Sequence, residues 1–203
     1  KIIHLKYGIQ IPNKVINTKE GRKEVYNRFN LDDQLFTIGV FSRIEEQKGQ
    51  HLVVEALNSI NNKAIQLLII GHCMDNKYMD KLNNMIDEFK LQKQISITSF
   101  IESPMELMPL LDLVILPTYE ETFGLVVAES MLMGTPVIGS NAGGVPEIIE
   151  DKINGLLFEP KNYKSLKEEI VRISNSLELR KKLSDNAKIF AKENYDYQTH
   201  FSN

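Results

Sequence analysis

The chain has one cysteine, Cys73, among 203 residues. That excludes an internal disulfide framework and a cysteine-based metal cluster, and an intracellular, reducing compartment fits such usage. There is no surplus of positive charge either. The 24 lysines and arginines stand against 27 carboxylates, a formal net charge of −3, so no nucleic-acid partner is expected. Long apolar runs are missing. The longest, LLII at 67–70 and Leu113 to Leu116 among them, are strand-length and far short of the roughly 20 residues of a spanning helix. No signal peptide is expected at the start. His4, His51, His72 and His200 are scattered without metal-ligand spacing, and no metal is expected. No glycine-rich dinucleotide fingerprint, Walker motif, Ser-His-Asp set or Cys-His set can be assembled. Internal repeats and low-complexity tracts are absent as well.

Apolar residues make up 42% of the chain, enough for the core of one domain of ordinary size. Short β-branched runs alternate with amphipathic stretches. Strands are expected at Phe36 to Phe41, Ile65 to Ile70, Ile95 to Phe100, Leu113 to Leu116, Pro136 to Gly139 and Gly155 to Phe158. Helices are expected at Gly49 to Ile60, Tyr78 to Phe89, Pro104 to Leu111, Leu125 to Met133, Pro146 to Glu150, Lys164 to Leu177 and Leu179 to Glu193. Strands apolar throughout, each followed by a helix, imply an α/β fold: a doubly wound, Rossmann-like parallel sheet of six strands with helices on both faces. Such sheets bind ligands beyond the carboxyl ends of their strands, and the unusual residues of this chain gather in the turns there.

Arg43 and Lys48 share the turn after the first strand. Together they could clamp a diphosphate, arginine through its fork and lysine as a point charge; taken alone they read equally as surface charges. After the fourth strand comes PTYEETFGLVVAESMLMGTPVIGSNAGGVPE, from Pro117 to Glu147. Phe123-Gly124 opens a helix whose free N–H groups and dipole attract phosphate. Glu121 lies in the turn before it and Glu129 within it. Eight positions apart, they would differ by about 80° and about 12 Å along a helix, which suits the two ends of an elongated ligand rather than one bond. The bland alternative makes Glu121 a favourable charge at a helix start and Glu129 solvent-facing. Gly143-Gly144 permits either close approach to a ligand or a plain tight turn. His72 reads as a turn residue.

Taken together these residues resemble the carboxyl-terminal, nucleotide-sugar-binding domain of GT-B glycosyltransferases, specifically glycosyltransferase family 4. The resemblance runs from about Phe36 to Leu177. It rests on five marks in one order: Arg43 to Gly49, the Glu-x-Phe-Gly-x4-Glu element at Glu121 to Glu129, Met133 to Ile138, Gly143 to Glu147, and Asn154 to Phe158. Ser42 departs from the usual glycine, and His72-Cys73 from a common Gly-x-Gly turn.

The resemblance implies a retaining glycosyltransferase whose donor is a nucleoside diphosphate sugar, UDP-sugar favoured and GDP-sugar the alternative, working without a metal. It places the diphosphate on Arg43 and Lys48, the transferred sugar on Glu121 and the backbone of Phe123, Gly124 and Leu125. The ribose falls on Glu129 and the base near Phe100 and Ile101. Glu121, Arg43 and Lys48 are the implied catalytic residues. Residues 1–17 are expected to be an interdomain junction, 18–178 the donor domain and 179–203 a carboxyl-terminal helix. The chain opens without methionine, so an amino-terminal acceptor-binding half is expected elsewhere, with this half alone turning over little. A cytoplasmic location is implied, the inner face of the membrane being a second one. The Asn-, Ile- and Lys-rich composition suits a bacterium, where members of this family often build cell-surface polysaccharides. A nucleotide-sugar epimerase and a non-enzymatic doubly wound module are the rival readings; release of free nucleotide that depends on an acceptor would separate transferase from epimerase.

Overall fold

The computed structural model describes residues 8–12 and 18–198. The junction expected over residues 1–17, together with His4 and His200, therefore lies largely outside the described residues. The elements in chain order are α1 (Lys19–Arg28), β1 (Phe36–Phe41), α2 (Gln50–Ile60), β2 (Ile65–Ile70), α3 (Asn76–Glu88), β3 (Ile95–Thr98), α4 (Pro104–Leu107), β4 (Leu113–Leu116), α5 (Leu125–Met133), β5 (Val137–Ser140), α6 (Val145–Ile148), β6 (Leu156–Phe158), α7 (Tyr163–Ser174) and α8 (Leu177–Tyr195). Short 3-10 turns precede α2 and follow α4.

All six strands pair in parallel, in the order β3-β2-β1-β4-β5-β6. Successive side chains of a strand point to opposite faces, and here both faces are buried. Ile38, Leu67, Ile69, Leu113 and Ile115 face α2, α3 and α7, packing with Val53, Leu82 and Ile170. Leu68, Val114, Leu116 and Val137 face the other layer, packing with Tyr26, Met131, Ala187 and Ala191. That two-sided burial is why β1, β2 and β4 are largely apolar without alternation, whereas the edge strand β3, ISIT, alternates and is only partly buried. Two buried polar side chains of β1 and β2, Thr37 and Gln66, are partners: the Gln66 Nε2 donates to Thr37 Oγ1 at 2.9 Å and to the Asp32 carbonyl at 2.6 Å.

The expected elements differ from the observed ones mainly at their ends. The stretch expected as a helix from Pro104 to Leu111 breaks into α4 and the 3-10 turn Met108–Leu110, because Pro109 has no N–H to continue an α-helical ladder. The expected helix Lys164 to Leu177 stops at Ser174, and Ser176 caps α8 instead, its hydroxyl accepting from the Leu179 N–H at 3.1 Å. Helix α1 is absent from the expectations. Its sequence, KEGRKEVYNR, contains a glycine and few apolar residues and so shows no helical period. It is held by a Thr18 cap, by the ion pair of Arg22 with Asp112 at 3.5 Å, and by a buried anchor, Tyr26, whose hydroxyl donates to the Leu110 carbonyl at 2.7 Å. At the other end α8 lays Leu183, Ala187 and Ala191 into the core, and its last turn receives the Ile9 N–H on the Tyr195 carbonyl at 2.7 Å.

Candidate functional site

The strand order reverses direction between β1 and β4: from β1 the chain builds outward through β2 and β3, then returns to build outward through β4, β5 and β6. The turns leaving these two strands diverge and leave a crevice between them, which is where open α/β sheets take their ligands. Here the two turns are Ser42 to Gly49 and Pro117 to Gly124. They are tied to one another. The Tyr119 N–H donates to the Gln47 carbonyl at 2.8 Å, and Gly49, with φ of +68°, passes so close that a Cβ there would sit 2.1 Å from the Pro117 carbonyl oxygen. Any side chain at position 49 would push the turns apart.

A cavity of about 360 Å³ opens at this point. Arg43, Lys48, Glu121, Thr122, Phe123, Gly124 and Leu125 line it, over a floor that includes Phe41 and Leu116. Six of the nine sequence-expected site residues thus meet in one place. Lys48 Nζ contacts Glu121 Oε2 at 2.9 Å, with 16% and 21% of the two side chains exposed. The guanidinium of Arg43, 59% exposed, contacts Glu45 Oε1 at 3.0 Å. Helix α5 starts at the cavity wall, and its N-cap residue, Gly124, offers no side-chain hydrogen bond. Its first N–H groups are therefore open to an anion.

The remaining three residues sit elsewhere. Glu129 lies one level deeper on α5, outside the cavity lining. It is half-buried, without a hydrogen-bonding or ionic partner among the described residues, and burial raises its carboxyl above the usual carboxylate value. Phe100 and Ile101 line a separate hollow of about 470 Å³ between α1 and α4, together with Arg28, Glu102 and Glu106. Strand β3 ends at Thr98, short of the expected Phe100, so that Phe100 stands 56% exposed and stacks on His72 with ring planes 7° apart.

The glycine pair has a definite structural task. The Gly144 N–H donates to the Glu121 carbonyl at 2.8 Å, and a Cβ on Gly143 would lie 2.1 Å from that same oxygen. The turn after β5 therefore braces the Glu121 turn by backbone contact: it is a tight turn whose close approach is to the protein's own chain.

Sequence reasoning did not see a second brace. The His51 ring, at the start of α2, is flanked by two hydroxyls: Tyr78 Oη at 2.9 Å from Nδ1 and Tyr119 Oη at 2.7 Å from Nε2. Tyr78 Oη also accepts the His51 backbone N–H at 3.1 Å, capping one of the free donors of α2. Burial lowers the His51 pKa and raises those of both tyrosines. One neutral imidazole thus joins α2, α3 and the Glu121 turn. Tyr119, an aromatic placed two residues before a site carboxylate, was the signal available in the sequence.

A doubly wound six-stranded sheet with cations and an open helix start at its switch point matches the Rossmann-like, carboxyl-terminal domain of GT-B glycosyltransferases. The comparisons with known proteins agree, and the chain belongs to the glycosyl transferases group 1 family, whose model matches residues 22–190. An uncharacterized glycosyltransferase of Methanocaldococcus jannaschii, MJ1178, is 33% identical over 181 residues, covering 88% of this chain and 48% of its own length. The capsular polysaccharide biosynthesis glycosyltransferase CapM of Staphylococcus aureus is 24% identical over 168 residues, covering 82% of this chain and 43% of its own. Among solved structures, Anabaena HepE in complex with UDP and glucose superposes with a TM-score of 0.85 at 26% identity, over 90% of this chain and 50% of that one. The chain spans about half the length of the curated relatives it matches. Among the described residues no helix is long and apolar enough to cross a membrane.

Proposed function

We propose that this chain is the donor-binding half of a retaining glycosyltransferase that takes a nucleoside diphosphate sugar, a UDP-sugar first among them, and serves polysaccharide assembly. The observation that carries this reading is the meeting of Lys48, Glu121 and the uncapped start of α5 in one cavity at the β1–β4 switch point. In this reading Arg43, Lys48 and the α5 N-terminus receive the diphosphate and stabilise the charge that grows on it as the sugar leaves. Glu121 meets the transferred sugar, whose hydroxyls donate to a carboxylate, and the backbone from Phe123 to Leu125 meets the sugar and distal phosphate. Glu129, unpartnered and half-buried, accepts the ribose hydroxyls, and the base lies toward Phe100 and Ile101. Side-chain cations take the role of a metal. The UDP and glucose in the HepE structure and the capsular role in the CapM name support the donor class and the pathway type respectively. Residues 18–178 form the donor domain, α8 its closing helix, and an amino-terminal half supplies the acceptor site.

Calorimetry on the chain tests this directly. UDP should bind more tightly than UMP, because the second phosphate meets the cations and the helix start. Lys48→Ala should weaken UDP by about 1.5–3 kcal/mol, the range for hydrogen bonds to charged groups, with little change in melting temperature. Arg43→Lys should also lose affinity, since a point charge does not replace a fork. Equal affinity for UMP and UDP, or an unmoved Lys48→Ala, rejects this placement of the diphosphate.

A further inference from the structure

Both cations of the cavity are already occupied by carboxylates of the protein itself. Lys48 holds Glu121, which the reading above gives a task of its own, but Arg43 holds Glu45, which it does not use. The pairing follows from the local backbone. Ile44 is 1% exposed, packed inward, and its N–H and carbonyl continue the strand pairing with His72 and Met74. Glu45 is extended, with φ of −158° and ψ of 156°. In an extended segment residues two apart point the same way, so Arg43 and Glu45 share the face opposite Ile44 and meet at 3.0 Å. One residue later the chain enters the 3-10 turn, and Glu46 points outward to Lys81 on α3, also at 3.0 Å. Two adjacent glutamates thus have opposite surroundings. Glu45 Oε1, shielded from water, has no hydrogen-bond partner beyond the ionic contact with Arg43.

We propose that Glu45 is an internal rival of the donor diphosphate for Arg43. The inference rests on the reading of Arg43 as a diphosphate ligand. In the free domain Glu45 occupies the guanidinium; on binding, phosphate oxygens take that place and the Glu45 carboxylate is turned out toward water. A ligand must therefore offer more than one carboxylate's worth of charge to gain from Arg43. A diphosphate does this better than a monophosphate, so Glu45 caps the affinity of the ligand that engages Arg43. When the diphosphate product leaves, Glu45 reclaims the arginine.

The test is titration of UDP and UMP into the chain by calorimetry, for Glu45→Gln, Glu45→Ala, Glu46→Gln, Arg43→Ala and the double variant Glu45→Gln with Arg43→Ala. Glu45→Gln and Glu45→Ala should tighten UDP roughly two- to fivefold, the span of partly exposed ion pairs, and leave its margin over UMP equal or wider. Glu46→Gln carries the same change of charge one residue away and should leave affinity unchanged. In the Arg43→Ala background the gain from Glu45→Gln should vanish. Weaker UDP binding in Glu45→Gln would mean that Glu45 orients Arg43 rather than competing for it, and would overturn the inference; so would equal gains from Glu45→Gln and Glu46→Gln, or a gain that survives loss of Arg43. These failures differ from failure of the underlying reading, in which UDP does not bind or Arg43→Ala changes nothing, and the inference falls with it. Melting curves of all five variants report whether each is folded.

Discussion

Among individual residues, Glu129 is the most informative, because its surroundings work against its charge. Burial raises its pKa, so the folded protein holds the Glu129 proton more tightly than the unfolded chain does. Between the ordinary carboxylate value and the raised one, the folded state binds more protons, and stability falls as pH rises through that window. Glu129→Gln removes this penalty. The variant should melt higher than the parent at neutral pH, with the difference shrinking as pH drops below the ordinary carboxylate value; a constant difference, or a less stable variant, would show a partner for Glu129 that the structure lacks. The cost of keeping such a group is consistent with a ligand role. If Glu129 accepts the ribose, Glu129→Gln should weaken UDP and UDP-glucose alike. Glu121→Gln should weaken UDP-glucose alone. An equal loss of both ligands in Glu121→Gln would reverse the orientation of the donor along α5.

Secondary-structure elements are held to one another here by a few polar anchors laid over apolar packing. Helix α1 has one buried side chain, Tyr26, and one buried hydrogen bond, to Leu110. Tyr26→Phe keeps the ring and strands a buried carbonyl, so it should cost about 1–3 kcal/mol and raise amide exchange in α1 before the sheet. The Glu121 turn is anchored by Tyr119 to His51. Tyr119→Phe should cost about 1 kcal/mol, a typical net hydrogen bond, and speed exchange in the turn from Pro117 to Glu121 while β2 stays protected. Uniform loss of protection across the domain would show that these contacts are part of the global core rather than local ties. The absence of α1 from the expectations has the same origin: an element held by a few long-range polar contacts leaves no periodic trace in its own residues.

For the molecule as a whole, the arrangement of charge predicts how the domain responds to metal removal. On the proposed reading, Arg43, Lys48 and the α5 start are the groups that meet the diphosphate. UDP binding to the chain should therefore be the same in EDTA as in magnesium; a loss on chelation would show that a divalent cation supplies the charge instead. If, as proposed, an amino-terminal half supplies the acceptor site, the chain by itself should bind donor and leave it intact.

The sequence by itself determined the layered α/β architecture. Runs from Phe36, Ile65 and Leu113, with apolar residues on both alternating faces, can be satisfied only inside a sheet covered twice, and the helices between them make it parallel. Its five ordered marks also carried the family. The sequence did not contain the neighbours of the site residues. Lys48 and Glu121 are 73 positions apart, and they meet because β1 pairs with β4 rather than because of anything local to either. The same holds for Gly144 bracing Glu121, for His51 reaching Tyr119, and for Phe100 being left in a hollow of its own. Strand order is decided by which crossovers let every face be covered at once, a property of the assembled chain. The pairing of Arg43 with Glu45 is the exception, local in origin, yet its meaning depends on the crevice that tertiary structure opens beside it.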